Sequence, residues 1–390
     1  MRTTTSFVIL TLCVAWTTMG NAADQETAKE PPGLGDPGEL TSMTIESGRT
    51  VEGRVVVSGR DAYQQLMVTG HYSTGQVRDL TNAVQYRAEP ADVLTINSAG
   101  YLFPVKEGLA KVHVTSDKGQ AASIDVEITN IANDVAVSFP GKIAPIFTKL
   151  GCNGGGCHGK SGGQNGFRLS LLGFEPTEDY EYLVKEGRGR RLFPAAPDQS
   201  LLLTKSIAKL PHGGGRRLDE TDPAYRLIRR WIEQGMPYGK ADDPVVTHIE
   251  VHPKERLMER SGTQQIVVVA HYNDGSSEDV TRMTQFDSND TEMGEVSVTG
   301  LVETASLTGS VAVMARYQGH VGVFRATVPL GIEVTSLPKN ATVVDQFVFQ
   351  KLKDLGLPPS LQSDDATFLR RATIDIAGRL PSAEEAEAFL

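Results

Sequence analysis

Hydrophobic and polar side chains alternate with a period of two along residues 39–131. The alternation is plain at 55–57, 110–114 and 124–128, and turn sequences such as Ser73-Thr74-Gly75 separate these runs. Successive side chains of a strand point to opposite faces of a sheet, so this pattern indicates half-buried strands. Several short strands at this spacing predict a β-sandwich.

The same pattern returns 200 residues later, at 245–331, and this internal repeat predicts a second sandwich. No second metal ligand stands at metal-binding spacing near His71 or His271, so we interpret both as strand histidines beside a turn. The matching segments are Gln64-Gln65 with Gln264-Gln265, His71-Tyr72 with His271-Tyr272, and Asp79-Leu80-Thr81 with Asp279-Val280-Thr281.

Between the repeats, at 138–240, the apolar residues change to helical spacing. One helix is predicted from Phe139 to Leu150, and another after Asp222 as its N-cap. The predicted fold is therefore two all-β sandwiches flanking a mainly α domain. A helical C-terminal segment at 337–390 follows the second sandwich.

The first residues have the three parts of a secretory signal peptide, which we place at 1–22. Arg2 is followed by an apolar run that falls short of the ~20 residues needed to span a membrane. We therefore predict export to the periplasm or cell surface, no membrane span in the mature chain, and loss of Cys13 with the signal. Residues 23–38 have almost nothing apolar to bury and are predicted to be a disordered linker.

Cys152, Cys157 and His158 form a Cys-x4-Cys-His motif just after the first predicted helix. Two thiols can add to the vinyl groups of a haem, and an adjoining imidazole can ligate its iron, although the usual spacer is two residues. Two alternatives stay open: a Cys152–Cys157 disulfide, favoured by an oxidising compartment, and a zinc site that also uses His212. The stretch 154–161 also matches a phosphate-loop pattern, but no strand is predicted before it, as that loop requires.

A second axial ligand for a haem iron has two candidates. His212 lies in a glycine-rich loop ahead of the last predicted helix of the central domain, and it is our first candidate. Met236, just past that helix, is the alternative.

Family resemblances support this organisation. The repeated segments resemble the group 2 bacterial immunoglobulin-like domains of exported proteins. Residues 337–390 are similar to the start of an uncharacterised helical domain that often follows cytochrome c-like domains, and we expect this domain to be incomplete.

The central segment carries a resemblance of its own. The stretch from Cys152 to Gly159, with Pro197-Asp198-Gln199 and the loop of His212, looks like the cytochrome c-like domain of large exported planctomycete proteins. That resemblance implies covalent haem c on Cys152 and Cys157, with His158 as the proximal iron ligand.

The favoured function is thus an exported c-type haem protein for electron transfer or redox sensing, with a redox partner protein. The sequence shows no catalytic constellation, so substrate turnover is the less favoured role. The alternative is a cell-surface adhesion or scaffold protein without haem, whose immunoglobulin-like domains bind polysaccharide or surface proteins. A net charge of −10 offers no basic field for a phosphate backbone, so nucleic acid is not an expected partner.

Overall fold

The computed structural model describes residues 31–339 and 342–390, and the predicted signal peptide lies outside these residues. The first repeat folds into an all-β sandwich of ten strands, which alternate buried and exposed positions as the sequence pattern predicts. Its strands are β1 (Leu40–Glu46), β2 (Val55–Ser58), β3 (Gln64–Gln65), β4 (Met67–Tyr72), β5 (Val77–Asp79), β6 (Gln85–Glu89), β7 (Leu94–Ile96), β8 (Tyr101–Pro104), β9 (Gly108–Thr115) and β10 (Ala121–Thr129).

The second repeat forms a sandwich with the same strand order. In both copies the strands pair as one three-stranded sheet, one four-stranded sheet and a small three-stranded sheet: β1-β4-β5, β2-β10-β9-β6 and β3-β8-β7 in the first copy, and β11-β14-β15, β12-β20-β19-β16 and β13-β18-β17 in the second. The strands of the second copy are β11 (Val246–His252), β12 (Glu255–Leu257), β13 (Thr263–Gln265), β14 (Val267–Tyr272), β15 (Ser277–Asp279), β16 (Gln285–Ser288), β17 (Gly294–Val296), β18 (Leu301–Thr304), β19 (Gly309–Tyr317) and β20 (His320–Val328).

The segment between the sandwiches is not the mainly α cytochrome c-like domain that we predicted. It holds four α-helices of only 6, 5, 6 and 11 residues, joined by turns, loops and short 3₁₀ and π segments. Its glycines, concentrated between 151 and 166, interrupt helical structure because glycine loses much conformational freedom in a helix. The helices are α1 (Ala144–Lys149), α2 (Pro176–Tyr180), α3 (Leu201–Ser206) and α4 (Pro223–Glu233).

This central insert shares its hydrophobic core with the second sandwich. Phe139 and Trp231 from the insert belong to the same cluster of buried residues as Val313 and Phe324 from β19 and β20, and all four are fully buried. A domain with an independent core would have a cluster of its own. The chain is therefore dominated by β-sandwich structure, with the insert packed onto the second copy.

Polar contacts fasten the insert to both sandwiches. Lys142 Nζ lies 2.6 Å from Glu278 Oε1 of the second sandwich, and Lys149 Nζ donates to the carbonyl oxygen of Val298 at 2.5 Å. On the other side, Arg230 of α4 forms an ion pair with Asp61 of the first sandwich. The insert thus contacts both sandwiches directly.

The two sandwiches also pair with each other by reciprocal hydrogen bonds. Asp279 Oδ2 in the second copy accepts from the backbone N–H of Gln65 in the first at 2.5 Å. The repeat-related Asp79 Oδ2 accepts from the backbone N–H of Gln265 at 3.1 Å. The sandwiches therefore meet as an internal, approximately two-fold pair, in which each copy gives the other the same contact.

A threonine of each repeat holds its aspartate in position. Thr281 N–H donates to Asp279 Oδ1 at 2.8 Å, while the Thr281 hydroxyl accepts from Val268 N–H at 2.9 Å. Thr81 makes the matching contacts with Asp79 and Val68 in the first copy. The Asp-x-Thr motif that identifies the repeat in the sequence is thus the device that pairs the two domains.

Helices of the C-terminal segment follow β20 and bury none of their side chains. They are α5 (Val343–Leu355), α6 (Asp365–Ala377) and α7 (Ala383–Phe389). Leu330 N–H, just after β20, donates to the carbonyl oxygen of Leu355 at 2.7 Å, and Lys351 Nζ donates to the Thr327 hydroxyl at 3.1 Å. Polar contacts therefore tie α5 to the end of the second sandwich.

The described part of the predicted linker, 31–38, also contacts this region. Gly33 N–H donates to the carbonyl oxygen of Leu330 at 3.0 Å. Within 31–339 and 342–390, no helix is both long and apolar enough to cross a membrane.

Burial raises the pKa of the Asp279 carboxyl to about 6, and that of Asp79 to about 6 as well, despite the hydrogen bonds that each accepts. A carboxyl group with a raised folded-state pKa stabilises the fold fully below its unfolded pKa, near 4, and loses that contribution as pH rises through 6. The stabilisation from Asp279 should therefore be greatest in mild acid.

We expect Asp279→Ala to lower the free energy of unfolding by about 2–3 kcal/mol more at pH 4 than at pH 7.5. Urea unfolding of the variant and the wild type across this range measures the difference. Asp274→Ala is the matched control, because hydrogen bonds from Ser276 lower the pKa of this exposed carboxyl, so its effect should have the opposite pH dependence. A pH-independent cost for Asp279→Ala would contradict the raised pKa.

Candidate functional site

Helical structure delivers the chain into the cysteine loop, as the sequence predicts. Ser138 caps a helical turn at Phe139–Ile143 by accepting from Gly141 N–H at 3.3 Å, and α1 continues it to Lys149. Gly151 has a φ of 71°, a left-handed conformation that glycine adopts without strain, and it turns the chain into the loop.

Backbone hydrogen bonds hold the loop in a compact fold. Cys152 N–H donates to the carbonyl oxygen of Phe147 at 2.8 Å, and His158 N–H donates to that of Cys152 at 3.0 Å. A side chain on Gly159 would overlap the carbonyl oxygen of Asn153, so glycine is required directly after the histidine. These contacts bring the two ends of the Cys-x4-Cys-His motif together.

His158 is fixed by its backbone partner and by an aromatic ring. Its Nδ1 donates to the carbonyl oxygen of Phe167 at 2.9 Å, and its ring centroid lies 4.6 Å from that of Phe167. A carbonyl oxygen only accepts, so the proton is on Nδ1, and Nε2 carries a lone pair. Burial lowers the pKa of His158, which further favours this neutral form.

His212 lies beside His158. The two rings are nearly parallel, at 10°, with centroids 6.3 Å apart. Nδ1 of His212 donates to the carbonyl oxygen of Gly215 at 2.9 Å, so its lone pair is also on Nε2. Metal-ligating histidines commonly donate their second nitrogen to a carbonyl group in this manner.

Met236, the alternative second ligand, is placed differently. Its backbone, at a φ of 58°, follows α4, and its carbonyl oxygen accepts from the Tyr180 hydroxyl at 2.7 Å. Its partly buried side chain packs against the hydrophobic core that the insert shares with the second sandwich. The structure thus places the His212 ring beside that of His158 and packs Met236 against the shared core.

Both cysteines are free thiols in this structure. Burial raises the pKa of Cys152 to about 11, while the half-buried Cys157 has Arg217 Nη2 at 4.0 Å from its sulfur. A thiol that stays protonated at neutral pH is a poor nucleophile. We therefore expect Cys152 to react slowly at neutral pH, and the disulfide between the two stays a prediction.

A second group of potential metal ligands lies on the second sandwich, and sequence spacing did not reveal it. His248 on β11 stands directly opposite His271 on β14, and their rings are parallel at 4° with centroids 4.4 Å apart. Glu250, two residues along β11, has a carboxylate oxygen 3.7 Å from His271 Nε2. Our interpretation of His271 as a strand histidine beside a turn agrees with its place near the end of β14, but strand pairing also brings it two potential ligands that lie 23 and 21 residues away in sequence.

The C-terminal segment matches a family model, and a longer part of the chain matches a known protein. Residues 343–390 match a family model described as a protein of unknown function, DUF1549. Ice-binding protein 1 of Shewanella frigidimarina is 22% identical over 271 residues, 68% of this chain. The chain spans only 27% of that protein's length.

Two solved structures similar to this chain have low sequence identity and low TM-scores. Domains 5–6 of the S-layer protein SbsC match 74% of this chain and 97% of that one, at 9% identity and a TM-score of 0.28. A mutant of the intimin from EHEC O157:H7 matches 23% of this chain and 47% of that one, at 16% identity and a TM-score of 0.17.

The prediction of an exported c-type haem protein for electron transfer or redox sensing is wrong. The sequence match is to a protein named for binding ice, and the insert is not the mainly α cytochrome c-like domain that this function needs. The DUF1549 match and the two sandwiches agree with the immunoglobulin-like and C-terminal parts of the resemblance, and the cytochrome part finds no support. A redox partner protein is likewise without support.

The side chains of the cysteine loop nevertheless fit the cofactor that the resemblance implied. Two cysteines, with His158 and His212 presenting Nε2 lone pairs, are a donor set suited to covalent haem c. Haem bound there would supply a redox-active iron, which Nε2 of His158 and of His212 would hold. Its attachment to Cys152 and Cys157 stays a prediction.

The two thiols should differ sharply in reactivity. In reduced protein, we expect iodoacetamide to modify Cys157 readily at pH 7.5 and Cys152 slowly, with the Cys152 rate rising until about pH 11. The variants Cys152→Ser and Cys157→Ser isolate each thiol for mass spectrometry. A Cys152 that reacts fully at neutral pH would show that burial does not protect it.

Proposed function

We propose that this chain is the binding and scaffold portion of an exported surface protein, in which the paired immunoglobulin-like domains act as one rigid unit on polysaccharide or protein at the cell surface. The observation that supports this most directly is the reciprocal bonding of Asp79 and Asp279 across the two copies. Separate domains on a flexible tether lose entropy when both engage one partner, whereas a preformed pair has already lost it.

Three further features support the proposal. The N-terminal pattern is that of an exported protein. The 271-residue match is to a protein named for binding ice and not for electron transfer. The outer sheets of the paired sandwiches carry exposed apolar side chains such as Leu109, Val321 and Val323 on β9 and β20.

The insert has a structural part in this function. Its contacts with Glu278 on one copy and with Asp61 on the other hold the pair from the side, so it acts as a brace between the sandwiches. In the oxidising compartment that export implies, a Cys152–Cys157 disulfide would close the loop at the edge of this brace.

Binding to isolated cell envelopes of the source organism tests the proposal. We expect the purified protein to sediment with envelopes, and a variant with Asp79→Ala and Asp279→Ala to sediment with at least about tenfold weaker affinity, because loss of both carboxylates leaves two buried N–H groups without their acceptors. Asp274→Ala and Asp290→Ala, which change exposed carboxylates of the same charge, form the matched control and should sediment as the wild type does.

Two outcomes would contradict the proposal. One is wild-type protein that stays entirely in the supernatant at all envelope concentrations. The other is a paired-aspartate variant that remains folded by circular dichroism and binds as tightly as the wild type.

A further inference from the structure

The strongest unassigned cluster is formed by His248, Glu250 and His271, on the three-stranded sheet of the second sandwich. β11 and β14 are antiparallel, with His248 opposite His271, and Glu250 is two residues along β11 on the same face. One potential ligand atom from each of the three side chains lies within 4.8 Å of the others. Strand pairing therefore assembles three donors that are far apart in the sequence.

The cluster carries a polar atom that the protein does not satisfy. His271 Nε2 is shielded from solvent and has no hydrogen-bond partner, since the 3.7 Å to the Glu250 carboxylate is too long for a hydrogen bond. A buried polar atom without a partner calls for an explanation, and a bound ion is one. Two ligand atoms of a tetrahedral zinc lie about 3–3.5 Å apart, so only small side-chain rotations are needed.

One ring nitrogen of His248 already has a hydrogen-bond partner. Its Nδ1 lies 3.1 Å from the Thr247 hydroxyl, so Nε2 is the nitrogen left to bind an ion. A second contact on the other ring nitrogen fixes the orientation of a metal-bound imidazole.

The first sandwich has the same strand positions without the ligands. Ser42 stands opposite His71, where the second copy has His248. Thr44 takes the position of Glu250, and its hydroxyl lies 3.1 Å from His71 Nε2. The nitrogen that is unsatisfied in the second copy is thus satisfied by a hydrogen bond in the first, as expected if only the second copy binds an ion.

We propose that His248, Glu250 and His271 bind one divalent transition-metal ion of the zinc class, with water in the fourth position. Two imidazoles and one carboxylate disfavour the hard ions calcium and magnesium, which take oxygen ligands. The ion ties β11 to β14 and leaves one coordination position open to the surface, where His248 is exposed. This site does not depend on the proposed binding at the cell surface.

Zinc binding to the whole chain tests this site. Chelator-treated protein with alkylated cysteines is dialysed against zinc chloride, and bound zinc is measured by atomic emission. We expect His271→Ala and Glu250→Gln each to lose one zinc per chain, or to bind it at least about tenfold more weakly. His71→Ala, at the same strand position in the first copy, should retain the wild-type zinc. Alkylation and the comparison between variants separate this site from any ion at His158 and His212.

Equal zinc in wild type and in His271→Ala across the titration would overturn the proposal, as would displacement of the zinc by calcium at equal concentration. Circular dichroism establishes that each variant is folded, and the wild-type titration does not depend on any variant.

A gain-of-site variant provides the reverse test. Ser42→His with Thr44→Glu rebuilds the three donors around His71, and we expect one additional zinc per chain. If this folded variant binds no more zinc than the wild type, the three positions are not sufficient and the assignment is wrong.

Discussion

The arrangement of this molecule depends on one interaction made twice: an aspartate carboxylate of each sandwich accepts a backbone N–H of the other. Asp279 binds Gln65 and Asp79 binds Gln265. Charge-assisted bonds of this kind contribute about 1.5–3 kcal/mol each, and loss of either leaves a buried N–H without an acceptor. Because the bonds are reciprocal, they fix both the distance and the rotation between the two domains.

Further contacts depend on that geometry. Apolar side chains of Met67, Val267 and Val269 form a small buried cluster where β4 of one copy meets β14 of the other. The insert reaches both Glu278 and Asp61 because the copies are held together. Burial of the two carboxylates costs free energy, as their raised pKa values indicate. In return, the two sandwiches and the insert adopt a single defined arrangement.

Sequence patterns predicted the local structure better than the way the parts meet. Period-two alternation and the repeat identified both sandwiches, and helical spacing after Asp222 identified α4. Asp222 does not cap α4 with its side chain, however; its carboxylate accepts from Asp219 N–H instead. The Asp-x-Thr motif was visible as a repeat marker, but nothing in one copy shows that its aspartate bonds to the other copy.

The same limit accounts for the wrong prediction of an α domain and for the ligand group that sequence spacing did not reveal. The helical spacing in the insert suggested an independent α domain. Periodicity indicates that one face of a helix is buried, but it does not indicate which hydrophobic core that face packs into. Sequence spacing reveals ligands among neighbouring residues, so it pointed to the cysteine loop and missed His248 with His271, which meet only through antiparallel pairing. His212 was our first candidate for a second axial ligand; the structure places its ring 6.3 Å from that of His158, and the ligand role stays a prediction.

Scanning calorimetry tests most directly whether the two sandwiches and the insert form one unit. We expect a single transition whose calorimetric enthalpy equals its van't Hoff enthalpy, since the parts unfold together when their interface is shared. Two resolved transitions, each with the enthalpy of one sandwich, would contradict this arrangement by showing that the copies unfold independently.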